Sequence, residues 1–241
     1  MKPKLLIDES GKRYLALKSE LHTHLGVVNI EEKEHGDIVT SHLGKKFRVI
    51  RPRVGDICDK MERAGSIVMK KDLGLIVAYT SLGDGDVVVD AGTGSGVLAI
   101  YLANIVKPNG RVYTYEIRED HAELAKKNIK LAGLEDYIIV KLKDIREGID
   151  ERADVITLDM PDPWEVATHA FDALNYGGFV VAYSPYIEQA RKSNIAFKKA
   201  GLKDVRTIEL LEREIEVSQV GTRPRTRATG HTAYLTFARK Y

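Results

Sequence analysis

A parallel α/β sheet closed by an antiparallel strand is the fold that this sequence predicts, and three observations carry the prediction. From Gly85 to about residue 200, short β-branched runs alternate with longer helical periods, the pattern of a doubly wound sheet. The first run, Val87-Val88-Val89-Asp90, leads into the glycine-dense turn Ala91-Gly92-Thr93-Gly94-Ser95-Gly96 and an apolar helix from Val97. Past Gly201, two strands near 205–210 and 233–237 follow one another with no helix between them, so the last runs antiparallel.

In order along the chain, residues 1–55 read as a small β domain. Alternating runs such as Arg13-Tyr14-Leu15-Ala16-Leu17 and Lys46-Phe47-Arg48-Val49-Ile50 have period two and no helical period. Residues 56–241 form the α/β domain. It opens with a short helix expected over Asp56–Gly65, an extended segment to Met69, and a helix through Tyr79 capped by Asp72. Strands are then expected at 86–90, 111–116, 137–142, 153–159 and 177–183, with helices near 95–106, 118–132, 163–175 and 187–200.

Composition bounds the function. The 241 residues hold a single cysteine, Cys58, which excludes an intramolecular disulfide and a multi-cysteine zinc site. His22, His24, His35 and His42 lack the companion ligands of a known site, so no metal is expected. No apolar run is long enough to cross a bilayer and Met-Lys-Pro-Lys is no signal peptide, so a cytoplasmic protein without membrane partners is expected. The net charge of +2 hides a segregation: residues 1–71 carry 15 Lys+Arg against 10 Asp+Glu, residues 72–216 carry 17 against 25, and residues 217–241 carry 5 against none. Basic ends around an acidic middle suggest contact with a polyanion.

The chemistry gathers at strand ends. Gly92, Gly94 and Gly96 have the spacing G-x-G-x-G, one residue short of the dinucleotide fingerprint; a ligand-free strand–helix turn can look the same. Glu116 ends the next strand 20 residues after Gly96, where a carboxylate can accept ribose hydroxyls. Asp144 ends the strand after that. Three acid-ended strands in register point to a nucleoside pocket. Asp159-Met160-Pro161-Asp162-Pro163-Trp164 follows a further apolar strand, and its prolines hold an extended loop with Asp159 at the pocket mouth and Trp164 starting the next helix. In the tail, Arg223, Arg225 and Arg227 alternate, so an extended segment would present all three to one side, with no acid nearby in sequence.

These motifs, with Leu21-His22-Thr23-His24-Leu25-Gly26, Glu62-Arg63-Ala64-Gly65, Tyr183-Ser184-Pro185, Ile187-Glu188-Gln189 and His231 to Ala238, resemble the tRNA adenine-N1 methyltransferase family acting on adenine 58 of the T-loop, especially its archaeal members. The resemblance covers essentially the whole chain. It implies a class I S-adenosylmethionine-dependent methyltransferase, Rossmann-like with a terminal antiparallel strand, carrying the small N-terminal β domain in addition. It implies S-adenosylmethionine as cofactor, S-adenosylhomocysteine as product, tRNA as partner and a homotetramer. Carried over by position, the cofactor residues are Asp90, Gly92, Thr93, Gly94, Ser95, Gly96 and Val97, then Glu116 and Ile117, Asp144, and Asp159, which is also the catalytic residue. Met69, Trp164, Arg223, Arg225 and Arg227 are the substrate residues. Met69 departs from the family, which often has an aromatic ring or histidine there, and a thioether packs against a base without a hydrogen bond. The alternatives are a methyltransferase of a small molecule such as a corrin precursor, and a non-catalytic tRNA-binding subunit.

Overall fold

The computed structural model describes residues 3–241, and its chain separates into two compact units. The first comprises residues up to Glu62 together with Leu131–Gly133, and the second comprises Arg63–Lys130 and Leu134–Tyr241.

In the first unit, β1 (Lys4–Asp8), β2 (Arg13–Ala16), β3 (Glu20–Thr23), β4 (Gly26–Asn29), β5 (Ile38–Thr40) and β6 (Lys46–Ile50) precede a short helix α1 (Val54–Cys58). The sheet order is β2-β1-β6-β5, all antiparallel, with β3 and β4 pairing separately as a hairpin. Period-two patterning decides which side is buried. In β6, Phe47 and Val49 are buried beneath exposed Lys46 and Arg48, and they join Leu6, Val28, Ile30 and Val39 in one core.

The second unit begins with α2 (Lys70–Thr80), followed by β7 (Val87–Ala91), α3 (Val97–Val106), β8 (Arg111–Glu116), α4 (Glu119–Ala132), β9 (Ile138–Leu142) and β10 (Ala153–Leu158). Then come α5 (Ala167–Ala173), β11 (Leu174–Ser184), α6 (Ile187–Lys199), β12 (Lys203–Glu209), β13 (Ile215–Val217), β14 (Thr222–Pro224) and β15 (Tyr234–Arg239). Seven strands form one sheet, β12-β15-β11-β10-β7-β8-β9, in which β15 runs against both neighbours and the rest are parallel. The chain steps outward from β7 to β8 and β9, then crosses back to β10. That reversal opens a crevice at the carboxyl ends of β7 and β10, where open α/β sheets bind ligands.

Buried strands and helices explain the sequence pattern. Val88, Val89, Val112, Val155 and Ile156 are at most 2% exposed, because both faces of the sheet are covered. Helix α3 buries seven of its ten residues, so it reads as apolar all round. Each such Val, Leu or Ile contributes about 1.5–3 kcal/mol of burial free energy.

Three local expectations are corrected. Asp72 does not cap α2: Met69 is the N-cap residue, and Asp72 is fully buried inside the first turn. The helix expected over 163–175 is a 3-10 turn, Pro163–Val166, leading into the shorter α5. The helix expected over Asp56–Gly65 ends by Cys58. Among the described residues no helix is long and apolar enough to cross a membrane.

Candidate active site

The site is built on four carboxylates whose environments differ. Asp90, 1% exposed, points into the sheet rather than toward the crevice. It accepts hydrogen bonds from Thr114 Oγ1 and Thr157 Oγ1, both at 2.7 Å, and Thr93 Oγ1 lies 2.7 Å from Thr114 Oγ1. Burial pushes its carboxyl up to about 6, with the two threonines opposing. Asp90 therefore braces three strands beneath the glycine turn.

Glu116 ties that turn to the next strand. Its Oε2 accepts the Gly94 amide at 2.9 Å, and its Oε1 accepts the amides of Ile117 and Arg118 at 3.0 Å each. His121 Nδ1 lies 3.8 Å from Glu116 Oε2. Gly94 and Gly96 have positive φ of 52° and 79°, and a Cβ on Gly96 would meet the Ala125 Cβ of α4 at 3.3 Å.

Asp159 continues the β7–β10 ladder one residue beyond both strands: its amide donates to Ala91 O, and its carbonyl accepts the Gly92 amide at 3.0 Å. Burial, with the like charge of Asp90, pushes its carboxyl up to about 7. The following loop is held from α6, where Gln189 Nε2 donates to Pro161 O at 2.8 Å and Gln189 Oε1 accepts the Tyr186 amide at 3.2 Å. Asp144, beyond β9, accepts the Arg146 amide at 2.9 Å and the Arg146 guanidinium on both oxygens; that guanidinium holds its carboxyl below the usual carboxylate range.

Glu116, Asp144 and Asp159 line a cavity of about 390 Å³, within the size range of small-ligand sites. Of the expected cofactor residues, Gly92, Gly94, Ser95, Glu116, Ile117, Asp144 and Asp159 line it together. Asp90, Thr93, Gly96 and Val97 stand behind that wall, shaping the turn rather than facing the space. Sequence reasoning missed Tyr115, His121 and the Ala64-Gly65-Ser66 segment, which also line it, although Ala64-Gly65 belongs to one of the resembling motifs.

The expected substrate residues lie elsewhere. Met69 is 42% exposed at the start of α2. Trp164 carries the Lys192 ammonium 4.3 Å above its ring. The tail arginines, with no acid nearby in sequence, gain acidic neighbours through strand pairing. Strands β13 and β14 form an exposed hairpin in which Glu216 pairs with Arg223, and Glu214 stands across from Arg225 one step beyond. Arg225 hydrogen-bonds Glu214, and Arg223 lies 3.5 Å from Glu216. Strand β14 ends at Pro224, so Arg227 falls outside the extended row.

A glycine turn, an acid-ended neighbouring strand and a cavity at the switch point between β7 and β10 of a seven-stranded sheet with one reversed strand define a class I S-adenosylmethionine-dependent methyltransferase. The model of the family described as "tRNA methyltransferase complex GCD14 subunit" matches residues 59–222, and the chain belongs to that family. It is 42% identical to a protein of Methanocaldococcus jannaschii named tRNA (adenine(57)-N(1)/adenine(58)-N(1))-methyltransferase TrmI, over 98% of this chain and 94% of that one. Among solved structures it is similar to a SAM-dependent O-methyltransferase of Thermotoga maritima (TM-score 0.89, 33% identity, 99% and 92% of the two chains). It is also similar to the tRNA (m1A58) methyltransferase TrmI of Aquifex aeolicus (TM-score 0.80, 25% identity, 100% and 97%).

Proposed function

We propose that this protein transfers a methyl group from S-adenosylmethionine to N1 of adenine 58, or of its neighbour 57, in the T-loop of tRNA. The observation that carries the reading is Asp159, a carboxylate on the last rung of the β7–β10 ladder, fixed by Ala91 and Gly92 at the edge of the cavity. Sequence identity to the methanogen enzyme supports the choice of tRNA over a corrin precursor, and the intact glycine turn with Asp159 supports catalysis over a silent subunit.

The donor set suits the cofactor. Glu116 supplies carboxylate oxygens for the ribose hydroxyls, the Gly92–Gly96 turn wraps the methionine portion, and Asp144 serves the adenine amine while keeping Arg146. When bound, the cofactor supplies an electrophilic methyl group on a sulfonium centre. Adenine N1 has an in-plane lone pair and needs no deprotonation before attack. Asp159 accepts a hydrogen bond from the exocyclic amine, orients the base and stabilises the positive charge that spreads over the ring. Met69 and Trp164 flank the entering nucleotide, and the hairpin arginines meet the phosphate backbone. The working assembly is a homotetramer, as the family resemblance implies, and a tRNA substrate fits a cytoplasmic location. Incubation of unmodified tRNA with isotope-labelled cofactor, followed by nucleoside mass spectrometry, tests the reading: labelled 1-methyladenosine is the expected product.

A further inference from the structure

Lys71 sits in the first turn of α2 with its side chain 8% exposed, beside a fully buried Asp72. An ammonium has three donors, and all three are used. They reach Asp72 Oδ1 at 2.6 Å, Leu210 O at 2.7 Å and Thr232 Oγ1 at 2.7 Å. The Thr232 hydroxyl donates in turn to Asp72 Oδ2 at 2.8 Å, closing a triangle, and the Tyr183 hydroxyl reaches the same oxygen at 3.4 Å.

The positions of these partners give the node its meaning. Leu210 and Thr232 are the two roots of the exposed β13–β14 arm, just beyond the paired residues Glu209 and Tyr234. Lys71 therefore holds both roots of one projection with a single cation. The same helical turn presents Met69, whose carbonyl accepts the amides of Asp72 and Leu73 at 3.0 and 2.9 Å. A second fastening lies alongside: His231 Nδ1 is 2.6 Å from Glu209 Oε1, and its Nε2 is 2.7 Å from Pro185 O. A buried ion pair is a poor source of stability but a strict geometric constraint, because removing either member strands the other.

We propose that Lys71 is a positioning residue, clamping the arm that carries Arg223 and Arg225 in register with the turn that carries Met69 and with Tyr183 at the carboxyl end of β11. The proposal rests on the reading that the arm meets tRNA. In it, the clamp turns backbone grip at Arg223 and Arg225 into correct placement of the target adenine, and it governs which of two adjacent adenines enters.

Two variants test the clamp. Lys71→Met removes the charge, and Thr232→Val keeps shape and the Lys71–Asp72 pair while deleting the bridging hydroxyl. In each folded variant, amide hydrogen exchange over residues 211–231 should accelerate. Calorimetric affinity for S-adenosylhomocysteine should stay at the wild-type value. In the same variants kcat/KM for a tRNA transcript should fall about tenfold, the scale of one coupling interaction, with a changed ratio of the two methylated adenines. Lys71→Arg should recover most of the loss. If Lys71→Met does not fold, Thr232→Val decides alone. Unchanged exchange in the arm, or wild-type kcat/KM with an unchanged site ratio, overturns the clamp. Failure of the wild-type protein to methylate tRNA overturns the parent reading instead, and the exchange measurement still decides whether the arm is clamped.

Discussion

Glu116 and Gly94 are joined by a 2.9 Å hydrogen bond across 22 residues, so the acid of one strand end and the glycine turn of another form a single unit. With two further amides on its other oxygen, Glu116 is positioned by the backbone before any ligand arrives.

Glu116→Ala should therefore weaken S-adenosylmethionine binding by about 1–3 kcal/mol, the cost of leaving polar partners unpaired. Isothermal calorimetry measures this directly, and an unchanged affinity removes Glu116 from the site.

Asp159 should matter in the transition state more than in the bound state. Asp159→Ala should lower single-turnover rates by about a hundredfold or more, as when one preorganised electrostatic group is lost. Cofactor affinity should change much less.

Its raised pKa also fixes a pH profile. The useful form is the carboxylate, so kcat/KM should rise with pH and level off above about 7, the value for the free enzyme. That inflection should vanish in Asp159→Asn. Stability runs the other way. The folded pKa lies above the ordinary carboxylate value, so the native state holds an extra proton between about pH 4 and 7, and stability falls as pH rises through that window. Asp159→Asn should raise the thermal midpoint at pH 8, with a smaller gain at pH 4, as followed by calorimetry.

Much of this arrangement is legible in the sequence. The runs ending at Asp90, Glu116 and Asp159 announce themselves because strands buried on both faces are rich in β-branched and aromatic residues, and acids at their ends break the run. Other features depend on distant partners. Nothing near Asp90 indicates that Thr114 and Thr157 will turn its carboxylate away from the cavity. The triangle around Lys71 joins residues 139 and 161 positions apart. Arg225 looks unopposed within its own segment, yet hairpin pairing brings Glu214 across from 11 residues upstream.

Those hairpin acids lead to a prediction about charge. If the arm grips phosphate, Glu214 and Glu216 compete with RNA for Arg225 and Arg223. Replacing both with Gln should tighten tRNA binding and steepen its salt dependence, whereas replacing Arg223, Arg225 and Arg227 with Ala should flatten the log–log slope by about two to three units. Filter binding across a salt series distinguishes these. If the proposed homotetramer forms and the triple variant breaks it with an unaltered slope, the arginines belong to a subunit contact.

Met69 offers a test of base selection. Replacing it with Tyr or His should leave cofactor affinity intact while altering the yield or position of adenine methylation, read by sequencing the product tRNA. A product with unaltered site and rate removes Met69 from the base pocket.

The central claim is attack by adenine N1 beside Asp159, and one substitution in the RNA tests it most directly. A tRNA transcript carrying 1-deazaadenine at positions 57 and 58 keeps the exocyclic amine but lacks the nucleophile. In single-turnover reactions with labelled cofactor, the unmodified transcript should yield 1-methyladenosine and the deaza transcript no methylated nucleoside in the T-loop. Methyl transfer to the deaza transcript at the wild-type rate, or label recovered on a ribose oxygen, would contradict the account.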